Sequence, residues 1–183
     1  MKPHTFVVTV EDLPGVLNRI SSLFRRRNYN IDSLTVGHTE RPGVSRMTFV
    51  VLTDTPGADR FAANLYKLVN VISVADITNK PAVYRDLAMI KVAAPQERRP
   101  EIVHLVEVFR ARIVDLSPES LTIEITGGED KIDGLLDVLR PYGVLEMART
   151  GRLAMTRAAR ANASAPAPGP VADTHDPQVS YSV

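Results

Sequence analysis

The sequence predicts an α+β protein made of two tandem βαββαβ units and a disordered C-terminal tail. Three observations lead to this fold class. Strand-like runs and amphipathic helix patterns follow one another in the order βαββαβ across residues 3–80. The same order returns across residues 85–157, without an evident sequence repeat. The composition then changes to Ala, Pro, Ser and Gly across residues 158–183. A βαββαβ order places two helices on one face of an antiparallel sheet.

The first unit begins with a buried strand at residues 6–10 and continues into an amphipathic helix. We expect Asp12 to be the N-cap of this helix. Pro14 suits a first helical turn, because the N–H that proline lacks would have no partner there. The apolar face of this helix is formed by Val16, Leu17, Ile20, Leu23 and Phe24. Strands are predicted at 31–36, 44–52 and 71–77. Between the last two strands lies a second helix, whose apolar face contains Phe61, Leu65, Leu68 and Val69.

The second unit follows a predicted linker at residues 81–84, which begins with Pro81. It has the same order of elements, with Pro95 marking the turn into its first helix. Its strands are predicted at 87–93, 113–116, 121–125 and 144–148. The apolar face of its first helix contains Ile102, Val103, Val106 and Phe109, and that of its second helix contains Ile132, Leu135, Leu136 and Leu139.

The tail composition, the charge balance and the absence of cysteine and of long apolar runs exclude several classes of protein. The tail at 158–183 has too few large apolar residues to offset the entropy of ordering, so we expect disorder. Lys plus Arg number 22 and Asp plus Glu number 21, a balance that gives no electrostatic reason for a polyanionic partner. Cysteine is absent, and no apolar run is long enough for a signal or membrane segment. We therefore expect a cytoplasmic protein that contacts no membrane.

No pattern of catalytic or metal-binding residues emerges. The four histidines lack the spacing of a metal site, and nucleophile and phosphate-loop motifs do not occur. RNA-recognition domains share the βαββαβ order, but the third strand here has a single aromatic residue and lacks their signature. The run at residues 25–27 is typical of a solvated helix C-terminus. We expect no catalytic residue, no metal, no cofactor in this chain and no nucleic acid.

The turn between the first strand and helix is the strongest candidate for binding. Gly15 is unfavourable inside a helix by ~1 kcal/mol relative to alanine, but it lets a ligand come close to the backbone. The amides of Gly15 and Val16 would lie at the positive end of the helix, which attracts anions. Asn30 opens a strand at the sheet edge, so it could face this turn in a second copy paired along that edge. From the residues alone, a ligand site and an ordinary turn remain equally open.

The segment VEDLPGVL at residues 10–17 resembles the opening of an ACT domain. Together with RNYNIDSLTV at 27–36, it resembles the regulatory small subunits of acetolactate synthase, also called acetohydroxyacid synthase. Further resemblance lies in SRMT at 45–48, LAMIKV at 87–92, EVFRARIVD at 107–115 and ARTG at 148–151, so that residues 3–157 are covered.

The resemblance implies two ferredoxin-like domains, an N-terminal ACT domain and a C-terminal small-subunit domain. It implies a chain without chemistry of its own, bound to a large catalytic subunit that holds thiamine diphosphate, Mg and FAD. That enzyme condenses pyruvate with pyruvate or 2-oxobutanoate in isoleucine and valine biosynthesis. The small subunit would raise this activity and confer feedback inhibition by valine, bound where two ACT domains form a homodimer.

The family's effector-binding positions correspond to Asp12, Gly15 and Asn30. Adjacent residues complete the turn and the wall of the pocket, namely Leu13, Pro14, Val16, Leu17 and Ile31. Some valine-sensitive members carry asparagine at the position of Asp12. A carboxylate there would attract the ammonium of an amino acid and repel its carboxylate. The alternative is a free-standing amino-acid-binding ACT protein that regulates another enzyme or a transcription factor.

Overall fold

The computed structural model describes residues 1–158, which form nine strands, four helices and a 3-10 turn. The predicted disorder of the tail concerns residues outside this range, apart from Ala158. None of the described helices is long and apolar enough to cross a membrane. In chain order the elements are β1 (Lys2–Glu11), α1 (Val16–Arg27), β2 (Ile31–His38), β3 (Val44–Thr53), α2 (Thr55–Leu65), β4 (Val71–Asp76), β5 (Ala82–Ala93), α3 (Arg99–Val108), β6 (Arg112–Leu116), β7 (Ser120–Gly127), α4 (Glu129–Leu139), the 3-10 turn (Arg140–Tyr142), β8 (Val144–Arg149) and β9 (Leu153–Thr156).

The first unit is a four-stranded antiparallel sheet with the strand order β2-β3-β1-β4. Alternate residues of a strand face opposite sides of a sheet, so Phe6 and Val8 of β1 enter the core beneath α1 and α2. Phe24 of α1 and Phe61 of α2 stack there with ring centroids 4.9 Å apart. The predicted βαββαβ order and α+β class are confirmed for this unit.

The second unit repeats this architecture with the strand order β6-β7-β5-β8 and with α3 and α4 on one face. Its core is aliphatic, and Ile90, Ile102, Ile123 and Leu135 are fully buried in it. The predicted second βαββαβ unit is confirmed.

The two units are joined by a contact that the sequence did not predict. We expected a linker at 81–84, but β5 already begins at Ala82 and pairs along its first residues with β9, an additional strand. Ala154 of β9 packs with Val7 and Ile77 on the helix-free face of the first sheet. The Arg46 guanidinium donates a hydrogen bond to the carbonyl of Ala154 at 2.8 Å. The domain boundaries themselves stay predictions.

Two helix predictions need correction. α2 ends at Leu65, so Leu68 and Val69 lie beyond it, and Val69 is almost fully exposed. Leu17 was predicted on the buried face of α1, yet its side chain is 43% exposed. At its other end α2 is capped by Asp54, whose carboxylate accepts a hydrogen bond from the Gly57 amide at 2.8 Å.

Candidate functional site

The turn between β1 and α1 is shaped by Gly15, which has a φ of +85°. This left-handed conformation disfavours residues with a Cβ, and it lets the chain reverse into the helix that begins at Val16. The prediction that Asp12 caps α1 and that Pro14 lies in its first turn is wrong. Gly15 occupies the cap position, and no side chain caps the helix. Asp12 therefore lies three residues before the cap.

Asp12 contacts the β2–β3 hairpin instead. One carboxylate oxygen accepts a hydrogen bond from the Ser45 hydroxyl at 3.1 Å, and the other lies 3.1 Å from Nδ1 of His38. The Asp12 amide donates to the carbonyl of Gly43 at 2.8 Å. Sequence reasoning missed His38 and Ser45, because they lie far along the chain from Asp12 and only the hairpin register brings them close.

Of the two turn amides expected to point outward, one has a partner within the turn. We expected the amides of both Gly15 and Val16 to point outward, but Val16 donates to the carbonyl of Leu13 at 3.3 Å. Among residues 1–158 the Gly15 amide has no hydrogen-bond partner. A Cβ built on Gly15 meets no atom within 4 Å, so the space beside its Cα is open. The Gly15 amide and the N-terminal end of α1 can therefore attract an anion.

The apolar residues of the turn divide into two groups. Val16 is only 4% exposed and anchors the turn in the core of the first unit. Leu13 and Leu17 are 54% and 43% exposed, and Pro14 is also exposed. These three side chains can contact an apolar ligand or a second protein chain.

Asn30 lies at the other end of the sheet. It is exposed just before Ile31, and Ile31 pairs with Val51 near the end of β3, whereas the turn adjoins Val44 at its beginning. Seven residues of strand separate the two ends by about 23 Å. Within one chain, the structure therefore brings Asp12, Leu13, Pro14, Gly15, Val16 and Leu17 together, but it leaves Asn30 and Ile31 apart from them.

Asn30 lines a cavity of its own, with a volume of about 570 Å³. Arg27 and Arg60 share the lining of this cavity with it. Ile31 is half-buried and packs against the core. β2 pairs only with β3 among the described residues, so no described strand pairs with its outer edge.

Comparisons with known proteins identify the family. A family model described as "AHAS small subunit-like ACT domain" matches residues 6–73, and one described as "Small subunit of acetolactate synthase" matches residues 85–158. A probable acetolactate synthase small subunit of Archaeoglobus fulgidus is 52% identical over 84% of this chain and 96% of its own length.

The chain belongs to the acetolactate synthase small-subunit family. The acetolactate synthase small subunit of Bacillus subtilis is 46% identical over 86% of this chain and 92% of its own length. A crystal structure of the acetolactate synthase small subunit from Thermotoga maritima superposes with a TM-score of 0.81 and 39% identity, covering 86% of this chain and 98% of that chain. The ACT match includes the turn and Asn30, so both parts of the candidate site lie in the ACT domain.

Proposed function

We propose that this chain is the non-catalytic regulatory subunit of acetolactate synthase. It binds the large catalytic subunit, raises its activity and makes it sensitive to feedback inhibition by valine. Membership of the small-subunit family supports the large catalytic subunit as the partner of this chain. Among residues 1–158, the Gly15 amide has no hydrogen-bond partner and the outer edge of β2 has no paired strand, and both support an amino-acid site in the ACT domain.

The site is completed by a second copy of the chain. Because β2 is an edge strand, two copies can pair antiparallel through it and form one continuous sheet. Antiparallel pairing centred on the middle of β2 places Ile31 of one copy opposite His38 of the other. His38 contacts Asp12. Asn30 of one copy then faces the turn of the other. The two parts of the site come together across the dimer, although about 23 Å separates them within a single chain.

The chemistry of the shared site suits a free amino acid with an apolar side chain. Its carboxylate binds the Gly15 amide at the positive end of α1. Its ammonium donates to the side-chain oxygen of Asn30, and its aliphatic group contacts Leu13 and Leu17, which are otherwise exposed. The Asp12 carboxylate already has one partner on each oxygen, and these partners reduce its repulsion of the ligand's carboxylate.

Regulation then requires two arrangements of the complex that bind valine with different affinity. Valine can shift their equilibrium only by that difference in affinity. The large subunit holds thiamine diphosphate, Mg and FAD in this proposal, and it carries out the condensation of pyruvate. The small subunit changes only the fraction of the complex that is in the active arrangement.

The test is acetolactate formation by the cognate large subunit, measured with and without this chain and titrated with valine. We expect stimulation by the chain, followed by inhibition that Gly15→Asp weakens. Gly143→Asp is the matched control, because Gly143 also has a positive φ, of +91°, but lies in the second unit. Stimulation without any response to valine would contradict the proposed effector, and the absence of stimulation would favour a free-standing ACT sensor.

A further inference from the structure

A second cavity, of about 570 Å³, lies between the two units on the side away from α1 and α2. It does not include Asn30 or the Gly15 turn, although His38, the partner of Asp12, lines its edge. Its lining comes from the end of the β2–β3 hairpin, from the first residues of β5 and from β9.

One side of this cavity is strongly cationic. Arg41, Arg46 and Arg85 line it, and Glu40 is the only carboxylate among the lining residues. Glu40 lies 3.8 Å from Arg41 at an exposed position, which is a weak pair. Within residues 1–158, Arg46 and Arg85 have no carboxylate within 4.0 Å. The lining therefore holds positive charge that no described residue balances.

Arg46 is the residue of this lining whose surroundings most favour a bound anion. Its guanidinium is half-buried at the contact between the two units, where one nitrogen donates to Ala154. Its Nε is buried and has no hydrogen-bond partner. A partly buried cation with unpaired donors is costly unless a counter-ion compensates it. Arg46 also lies in the SRMT segment, and the proposed effector site does not use its side chain.

The other side of the cavity is apolar. Val83 contributes a small aliphatic surface, and Leu153 and Met155 line the cavity while remaining 53% and 64% exposed. An inorganic ion would leave these side chains in water, whereas an organic anion with an aliphatic body would cover them.

We propose that this cavity binds a short aliphatic carboxylate. Its carboxylate pairs with Arg46 and Arg85, and its hydrocarbon body packs on Leu153 and Met155. Occupation neutralises Arg46 at the contact between the two units and strengthens that contact. This site goes beyond the proposed valine site, since its ligand contacts need neither the Gly15 turn nor a second copy.

The test is isothermal titration of the full chain with 3-methylbutanoate, which has the aliphatic body of valine without its ammonium. We expect saturable binding that Arg85→Gln weakens by about tenfold, the effect of one charged hydrogen bond. Arg85 is exposed and donates only to the carbonyl of Tyr84 within the described residues, so this variant should fold normally. Arg46→Gln should weaken binding further. Arg140→Gln, an exposed site in the second unit, and Gly15→Asp should leave it unchanged.

Three results would overturn the proposal. The first is binding that Arg85→Gln does not change. The second is an equal affinity for inorganic phosphate or acetate, which would indicate an adventitious ion only. The third is loss of binding in Gly15→Asp, which would assign the ligand to the effector turn. Failure of valine inhibition in the enzyme assay would refute the proposed regulation without affecting this site.

Discussion

Replacing Gly151 with alanine tests the contact between the two units. A Cβ on Gly151 would clash with the carbonyl oxygen of Leu34 and would lie 2.7 Å from the hydroxyl of Thr35, both in β2. Ordinary contacts of a Cβ begin at 3.4 Å, so the segment after β8 must move away from β2 by about 1 Å. Such a movement strains the hydrogen bond that the Arg152 amide donates to the Ser33 hydroxyl at 2.7 Å.

Overpacking of this kind costs about 1–3 kcal/mol. For a chain of this length, a loss of about 2 kcal/mol lowers the melting temperature by about 4–8 °C. We expect that shift for Gly151→Ala in thermal unfolding, together with faster amide hydrogen exchange in β2. Gly37→Ala is the matched control, because Gly37 lies in β2, the strand that Gly151 contacts, and a Cβ there meets nothing within 4 Å. Equal stability and unchanged exchange in Gly151→Ala would refute the close packing of this segment on β2.

Three further substitutions test other parts of the structure. Arg149→Gln leaves the buried carboxylate of Asp86, 2.7 Å from the guanidinium, without its cation, and should cost about 3 kcal/mol in urea unfolding. Burial acts to raise the pKa of Asp76, but hydrogen bonds from Thr78 and His4 hold that pKa below its ordinary 3.8. Asp76 thus stabilises the fold above pH 3.8 and loses this contribution in more acidic solution, so Asp76→Asn should show a weaker decline in stability below pH 3.8 than the natural chain. Phe61→Ala empties the centre of the first core and should cost about 3–5 kcal/mol in the same unfolding assay.

The regular elements were predictable because each is set by a local pattern. In α1, the spacing of Val16, Ile20, Leu23 and Phe24 predicts the buried face, and all four are buried. β9 could not be predicted, since it has four residues and depends on pairing with a distant segment at the start of β5. A short strand of that kind has no sequence signal apart from its partner.

The candidate site was predictable only in part. The residue types of the turn indicated an anion-binding helix start, and Gly15 has the backbone freedom that such a turn needs. The role of Asp12 as a cap was wrong, because the left-handed Gly15 takes the cap position and the hairpin supplies other partners, Ser45 and His38. These partners follow from the register of β2 and β3, which local patterns do not define.

The central claim is that the valine site is shared between two copies, and mixed dimers test it most directly. One copy carries Gly15→Asp and the other Asn30→Ala, and the tagged mixed dimer is assayed with the large subunit for inhibition by valine. In a shared site, the natural turn of one copy meets the natural Asn30 of the other, so one of two sites stays intact. We predict valine binding at half the stoichiometry of the natural dimer and partial inhibition. If each site lay within one chain, both would be defective, and a mixed dimer as insensitive to valine as the Gly15→Asp dimer would contradict the account.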